Sequence, residues 1–363
     1  MRRLIGIVVM MMSMTGIYLA GSQLALAEEM SFSVEAKLPD NQRDKSKTYF
    51  DVRVQPGKDQ ELAVELKNNT DEEVTVLIQT NTAITNMNGI IDYGVTEPKL
   101  NATLASAFSD IAKVEPEVTL AAKEVKKINV NVSVPPTAFS GIILGGLHFS
   151  EKEKEGDKKA EAGVQIENKF AYVIGVRLSE NDEPVESDLE LLAAKAGQRN
   201  FRNTILASLQ NPTPRIIGDM KVTADVYAAN NLEAPIFHST QQDLNMAPNS
   251  DFDYGIEMSN KAYKAGKYVL KMLVEADGKS WNFEKKFEIK ADEAKKFNDK
   301  AVELAEESND NLLYIIIGGV VLGVVILILV IWIIKQKKDQ AKASARRAGK
   351  KSKSHSTSRK KRS

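Results

Sequence analysis

An uncharged run of 23 residues, 312–334, constrains this chain more than any other feature. A run of this length spans a bilayer as a helix, because about 20 apolar residues cross the hydrocarbon layer. Tyr314 and Trp332 lie near its two ends, where amphipathic rings prefer the headgroup region. The tail that follows, 335–363, contains thirteen Lys or Arg residues and one acid. The positive-inside rule therefore predicts a cytoplasmic tail and an upstream region outside the cell.

The N-terminus predicts export independently of the span. Arg2 and Arg3 precede a mostly apolar stretch, and Ala25 and Ala27 form an A-x-A cleavage site. This pattern is typical of a secretory signal peptide over residues 1–27. The alternative is an uncleaved first membrane helix. With cleavage, the prediction is a single-pass protein of the cell membrane whose N-terminal region faces the cell wall.

The distribution of charge limits the partners of the exported region. The whole chain is formally neutral, but residues 28–334 carry 34 basic and 48 acidic side chains once the tail and signal peptide are set aside. An acidic region argues against nucleic acid as a ligand. The basic tail is expected to contact the anionic inner leaflet. Because the chain has no cysteine, ordinary apolar cores have to hold the exported region, which suits a Gram-positive surface.

Short segments of alternating polarity, separated by turn signals, predict an all-β exported region. The predicted strands are 49–54, 61–66, 74–79, 125–134, 141–149 and 168–178 in the first half, and 189–194, 204–210, 220–227, 252–258, 268–276 and 281–289 in the second. The spacing favours two tandem immunoglobulin-like β-sandwiches, 28–155 and 156–291. If the strand at 164–178 packs on the first sandwich, the boundary moves to the acidic segment 179–187.

The composition changes after the second predicted sandwich. Residues 292–311 are rich in Ala, Glu and Lys, and Phe297, Ala301 and Leu304 recur at helical spacing. We expect a helical stalk that leads to the transmembrane helix at 312–334. A flexible linker is the alternative.

The exported region contains no motif for catalysis or for a cofactor. Its two histidines, His148 and His238, are far apart in sequence, and no metal-ligand spacing is present. Acidic residues are plentiful, so a surface hydrolase with two converging carboxylates is an alternative. Acids on polar strand faces are more often solvated, and we expect a protein that is not an enzyme and has no cofactor or metal.

Three aromatic residues near the end of the second sandwich are candidates for partner binding: Tyr263, Tyr268 and Trp281. Exposed rings here would offer a surface to a sugar or to a partner strand. Core packing is the alternative, because Trp281 and Phe283 share one strand face that Phe287 continues.

An ordered set of segments resembles the WxL-interacting proteins of Gram-positive Firmicutes. The segments are 31–34 (SFSV), 49–57 (YFDVRVQPG), 88–93 (NGIIDY), 172–178 (YVIGVRL), 209–212 (LQNP), 246–250 (MAPNS), 266–268 (GKY) and 281–283 (WNF). The resemblance covers nearly the whole chain. It implies an N-terminal domain that binds peptidoglycan and a C-terminal domain that binds the WxL domain of partner surface proteins.

The expected function is therefore that of a membrane-anchored scaffold for a surface complex at the cell wall. Two other functions stay open. A surface adhesin that binds carbohydrate or a host polymer directly would need an exposed aromatic platform. A sensor would need a cytoplasmic output, for which the 29 residues of the tail contain no recognisable domain.

Overall fold

The computed structural model describes residues 30–153, 170–304, 317–338 and 342. The predicted signal peptide, the start of the predicted span at 312–316 and most of the basic tail lie outside the described residues. The structure divides into two units, one ending at Leu304 and one containing the C-terminal helix.

Alternating burial explains why the first half forms strands. In β3, Leu62, Val64 and Leu66 are fully buried, while Glu61 and Lys67 point to solvent. The elements of the first sandwich are β1 (Phe32–Lys37), β2 (Phe50–Arg53), β3 (Asp59–Asn68), β4 (Val74–Thr82), β5 (Ile84–Thr85), β6 (Ile91–Asp92), α1 (Phe108–Ile111), β7 (Ala112–Lys113), β8 (Glu117–Leu120), β9 (Val125–Ser133), β10 (Ile143–Glu151) and β11 (Ala171–Ser179).

Two sheets enclose the first core. One has the strand order β1-β3-β9-β7 and the other has the order β2-β11-β10-β4-β8, while β5 and β6 form a separate two-stranded hairpin. Aromatic and aliphatic side chains from both sheets meet between them, among them Phe32, Phe50, Leu147 and Phe149.

Strand β11 belongs to the first sandwich. It pairs antiparallel with β10 and parallel with β2, so that Leu178 lies opposite both Ile143 and Val52. Its inward side chains, including Val176 and Leu178, are fully buried. The two sandwiches therefore separate after Ser179, at the acidic segment 179–187, and the boundary at 155 differs from the structure because it would remove this central strand.

The second sandwich also has two sheets, with the orders β12-β13-β16 and β15-β14-β17-β18. Its strands are β12 (Glu190–Arg199), β13 (Arg202–Asn211), β14 (Ile217–Ala228), β15 (Phe237–Met246), β16 (Ser250–Glu257), β17 (Gly266–Ala276) and β18 (Lys279–Ile289). Asp277 and Gly278 connect β17 to β18 with positive φ angles of 51° and 72°, and Asp-Gly is a sequence that favours a two-residue hairpin turn of this kind. The fold is all-β with two immunoglobulin-like sandwiches, as the sequence predicts.

The segment after β18 differs from the predicted stalk. Helix α2 (Ala291–Asn298) ends at Asn298 and packs on the second sandwich, with Ala294 buried and Phe297 against the core. The backbone N–H of Val302 then donates to the carbonyl of Phe201 on the β12–β13 hairpin. Residues 292–304 are thus part of the second sandwich, because apolar side chains of the helix find a partner there. Residues 305–311 lie outside the described residues.

The described part of the C-terminal unit contains the apolar helix α3 (Ile317–Lys338), of 22 residues. Its length and composition suffice to cross a membrane. Side chains such as Leu322, Leu327 and Ile331 are exposed along it, as lipid contact requires. The described part of the helix overlaps the predicted span and extends into the first basic residues after it.

Candidate functional site

The structure places the three candidate aromatic residues at different depths. Tyr263 is buried, with 4% of its surface exposed. Its hydroxyl accepts from the backbone N–H groups of Gly197 and Thr204 at 2.9 and 3.1 Å, and its single proton is shared between their carbonyl oxygens, at 2.8 and 2.6 Å. Burial raises the pKa of this phenol to about 12. Tyr263 therefore connects β12, β13 and the segment before β17 from the inside.

Tyr268 and Trp281 lie on neighbouring strands of one sheet. Tyr268 is buried; its ring stacks on Phe287 at 5.5 Å and its hydroxyl donates to the carbonyl of Lys264 at 2.6 Å. Trp281 is half-buried against the core, and its indole N–H donates to the Oδ1 of Asp188 at 3.2 Å. Of the three, only Trp281 combines partial exposure with a position on an edge strand.

The second sandwich has two edge strands in its larger sheet. Strand β18 pairs only with β17, and β15 pairs only with β14. The register of β18 against β17 is unbroken from Lys279 to Ile289, whereas the β14–β15 pairing shifts twice near Met220. Register shifts of this kind twist an edge and blunt it against further pairing. Strand β18 is therefore the more regular edge.

A polar seam joins the two sandwiches. The hydroxyls of Thr85 and Ser250 lie 2.6 Å apart, and the N–H of Ala247 donates to the Thr85 hydroxyl at 3.0 Å. The side-chain amide of Asn249 donates to the carbonyls of Thr103 and Pro212 at 3.1 and 2.8 Å. Thr85, Ala247, Asn249 and Ser250 are buried, so their hydrogen bonds fix one arrangement of the two sandwiches as well as stabilising it.

Backbone and apolar contacts extend this seam. The N–H of Asn245 donates to the carbonyl of Gly89 at 2.6 Å, and that of Ile142 donates to Pro214 at 2.8 Å. Ala83, Leu144 and Ala247 form a small apolar cluster between the sandwiches. Gly89 has a φ of +69°, and a Cβ added there would lie 2.9 Å from Leu244. Only glycine fits this position, because both the conformation and the space exclude a side chain.

The seam explains three of the segments identified in the sequence. Residues 88–93, 209–212 and 246–250 all meet there, although the sequence indicates only turns for them. Their Pro and Asn residues make turns that bring backbone groups of one sandwich to the other. The turn residues determine the local backbone conformation, but they do not indicate which residues of the other sandwich they will contact.

The part of the chain that the structure describes contains no cluster of three or more potential metal ligands. His238 lies on β15 with its Nδ1 2.7 Å from Asp225, and His148 lies on β10 in the other sandwich. The two histidines considered as metal ligands in the sequence therefore lie apart, in different sandwiches.

The comparisons with known proteins also find two domains, with their boundary between residues 151 and 161. Residues 32–151 match the model described as "WxL Interacting Protein, peptidoglycan binding domain", and residues 161–299 match the one described as "WxL Interacting Protein, host binding domain". Strand β11 lies inside the second match but pairs in the first sandwich. A search of curated proteins finds no match.

Similar solved structures include bacterial fimbrial chaperones. A protein of the chaperone–tip adhesin complex of CFA/I fimbriae is 13% identical over 72% of this chain and 99% of that one, with a TM-score of 0.29. The YadV chaperone is 12% identical over 71% of this chain and 100% of that one, with a TM-score of 0.27. A PapD-like domain of human CEP192 is 12% identical over 42% of this chain and 87% of that one, with a TM-score of 0.26.

The two family models match in the predicted order, and together they cover both sandwiches from β1 to α2. The chain belongs to the WxL Interacting Protein family.

Proposed function

We propose that this protein is a non-catalytic scaffold, anchored in the cell membrane, that binds peptidoglycan through its first sandwich and a surface protein with a WxL domain through its second. The observation that supports this most directly is the pair of domain matches, each on a sandwich with its own core. The apolar helix α3 supplies the proposed anchor, and the basic residues after it favour a cytoplasmic C-terminus.

The seam is proposed to connect the two sandwiches of the scaffold rigidly. A buried network of hydrogen bonds and an apolar cluster connect the sandwiches, so a load on one domain passes to the other without a flexible linker. A wall-bound first domain would hold the second at a fixed orientation. A fixed orientation of this kind would keep a surface complex in place under shear.

Strand addition at β18 is the proposed mode of binding for the WxL domain. An edge strand offers unpaired backbone N–H and C=O groups that a strand of the partner can pair with. Strand β18 has an unbroken register over 11 residues and carries the half-buried Trp281 on one face. Glu284, Lys286 and Glu288 project from the opposite face and would give the pairing its charge selectivity.

A direct adhesin is the second candidate function. The description of the second domain names host binding, whereas the resemblance in the sequence implies binding of a WxL protein. Tyr263 and Tyr268 are buried, so an adhesive surface here would have to use Trp281 or polar side chains. The two candidates differ in the ligand of the second sandwich and share the first.

The test is a binding assay with the soluble region 28–304 against insoluble peptidoglycan, purified WxL-domain protein and host polymers. Fragments 28–182 and 183–304 then assign each ligand to a sandwich, with circular dichroism as the control for folding. A fragment ending at 155 is unsuitable because it lacks β11. Binding of WxL protein by 183–304 supports the scaffold. Binding of a host polymer without WxL protein supports the adhesin, and binding of neither ligand contradicts both.

The anchor is tested separately in cells. The full chain is expected in the membrane fraction, and a chain ending at 304 is expected in the medium or the wall fraction. Protease added outside should remove the sandwiches and leave an epitope tag at the C-terminus intact. Cleavage of that tag in intact cells would contradict the proposed topology.

A further inference from the structure

The outer face of the five-stranded sheet contains a pair of facing glycines. Gly146 on β10 and Gly175 on β11 are directly opposite one another in the register. Their neighbours Leu147 and Val176 are fully buried in the core, so the two glycines face outward. The paired glycines contribute no side chains of their own, so this part of the sheet is a floor of backbone, which another part of the chain covers at Gly146.

Two tyrosines flank this floor. A Cβ added to Gly146 would lie 2.8 Å from the Cβ of Tyr93, and one added to Gly175 would lie 3.9 Å from the Cβ of Tyr49. Both rings are half-buried. Burial raises the pKa of the Tyr93 phenol, and the nearby Tyr49 phenol raises it further. We call the surface formed by Tyr49, Tyr93, Gly146 and Gly175 the tyrosine face.

The two glycines have different explanations. Tyr93 packs over Gly146 and needs the space that a side chain would take. Gly175 has no such neighbour: its backbone is not in the left-handed region, and the nearest atom to an added Cβ is at ordinary contact distance. Glycine inside a strand weakens it, and it often marks a place where a ligand approaches the backbone. The internal packing of the described residues does not require Gly175.

Polar groups border the same surface. His148 is the next outward residue of β10 after Gly146, and it lies opposite Val173 and Gln79. Burial lowers the pKa of His148, which leaves its imidazole neutral at pH 7. Its Nδ1 is buried and has no hydrogen-bond partner among the described residues. The carboxylate of Asp92 lies close by, because both side chains border Gly94.

Three segments that the sequence analysis identified converge here: Tyr49 begins the segment 49–57, Tyr93 ends 88–93, and Gly175 lies in 172–178. They come from parts of the chain separated by tens of residues. Their meeting at one surface is a property of the sheet order, in which β11 lies between β2 and β10. Of these three segments, only 88–93 also contributes to the seam.

We propose that the tyrosine face binds the glycan strand of peptidoglycan, with a pyranose ring placed on Gly175 between Tyr49 and Tyr93. This proposal rests on the peptidoglycan binding proposed for the first sandwich. Tyrosine offers an apolar ring face together with a polar hydroxyl, which matches the alternating C–H faces and hydroxyls of a sugar. A peptide strand is a poorer match, because β10 and β11 each have neighbours on both sides and no free backbone edge.

The experiment compares four forms of the soluble region 28–304 for binding to insoluble peptidoglycan: wild type, Gly175→Val, Ala171→Val and Tyr49→Leu. Gly175→Val places a side chain on the uncovered backbone beside Tyr49, with a residue that suits a strand. Ala171→Val makes a similar addition on the same strand and face, outside the tyrosine face, opposite Ser150. Tyr49→Leu keeps an apolar body and removes the ring, which provides a second variant should Gly175→Val unfold.

Gly175→Val and Tyr49→Leu are expected to weaken binding about tenfold, while Ala171→Val binds like wild type and all four unfold at similar temperatures. An N-acetylglucosamine tetramer is expected to compete with peptidoglycan, and a synthetic stem peptide is not. Wild-type affinity in folded Gly175→Val and Tyr49→Leu overturns the tyrosine face alone. Competition by the stem peptide only does the same. No binding by wild type overturns the proposed function as well.

Discussion

The hydroxyls of Thr85 and Ser250, 165 positions apart in the chain, lie 2.6 Å from each other in the buried seam between the sandwiches. The same Thr85 hydroxyl accepts the N–H of Ala247 at 3.0 Å. One side chain of the β5–β6 hairpin thus satisfies two groups of the second sandwich. The consequence is that local changes in this short hairpin should alter the stability of the whole two-domain region.

Thr85→Val tests this relationship. Valine keeps the shape of threonine but leaves the buried N–H of Ala247 without a partner, which costs about 1–3 kcal/mol. Urea unfolding of residues 28–304 measures the change. Thr75→Val is the matched control, because the hydroxyl of Thr75 bonds Thr119 at 3.0 Å on the exposed surface. Equal effects of the two substitutions would show that the seam contributes nothing specific.

Gly89→Ala tests the close approach of the hairpin to Leu244. Alanine at a positive φ costs about 1–2 kcal/mol at any site, and at Gly89 the added Cβ would also displace Leu244. Gly278→Ala measures the first cost alone, since its φ is +72° and nothing lies within 4 Å of the added atom. We expect the larger loss of stability for Gly89→Ala in thermal unfolding. A similar loss for both would mean that Leu244 moves aside freely.

Tyr263→Phe tests the internal role of a residue that the sequence nominates for partner binding. The substitution removes hydrogen bonds to Gly197 and Thr204 and is expected to cost about 1–3 kcal/mol of unfolding free energy. Binding of WxL protein by the folded variant should not change. A stable variant with lost binding would return Tyr263 to the list of contact residues.

The pH dependence of stability provides a second measurement on Tyr263. Its folded pKa is raised from 10.0 to about 12, so its contribution is fully present below pH 10. Above pH 10 the phenol ionises in the unfolded chain before it does so in the folded chain, so the free energy of unfolding falls by about 1.4 kcal/mol per pH unit. The contribution of Tyr263 is therefore lost as the pH rises through about 12. The stability difference between wild type and Tyr263→Phe should therefore shrink over this range. A constant difference would contradict the raised pKa.

Asn298→Ala tests the docking of α2 on the second sandwich. The Asn298 side chain accepts from the N–H of Tyr263 and the amide of Asn203, both at 2.8 Å, and donates to the carbonyl of Tyr263 at 3.0 Å. Its loss is expected to speed hydrogen exchange in residues 291–303, because the helix end loses its attachment. Asn282→Ala, at an exposed position of β18, is the control. Fast exchange of these residues in wild type would favour the predicted free stalk.

Two proline substitutions test strand addition at β18. Successive residues of an edge strand alternate between N–H groups that bond the neighbouring strand and N–H groups that face outward. Glu284→Pro and Lys285→Pro therefore differ: one breaks the ladder to β17 and loses stability, and the other removes only an outward donor. The stable variant is expected to lose WxL binding. Retention of full binding by that variant would exclude this edge as the docking strand.

The alternation of the sequence predicts strands well where one face is buried. In β14 and β17 the apolar positions form the core, and the predicted segments 220–227 and 268–276 fall within the observed strands. Strand β15 has no such signal. It is a polar edge strand with mostly exposed or half-buried side chains from Phe237 to Asp243, and solvent rather than a core determines its composition.

The periodicity of apolar residues does not predict which distant parts of the chain come into contact. The bond between Thr85 and Ser250, and the pairing of Gly146 with Gly175, depend on sheet order, which a single sequence does not state. The aromatic candidates show the converse. Tyr263 and Tyr268 are candidates in the sequence because aromatic rings suit binding surfaces. An aromatic ring packs in a core as readily as it contacts a ligand. Burial alone distinguishes these two roles.

The position of β11 between β2 and β10 has a consequence for biogenesis. In the export proposed for this protein, a chain that has left the secretion channel only as far as residue 151 exposes β2 and β10 without the strand that joins them. The first sandwich cannot close until residues 171–179 have also emerged. Each molecule therefore passes through a stage at the membrane surface with an open sheet, during which extracytoplasmic chaperones and proteases compete for it.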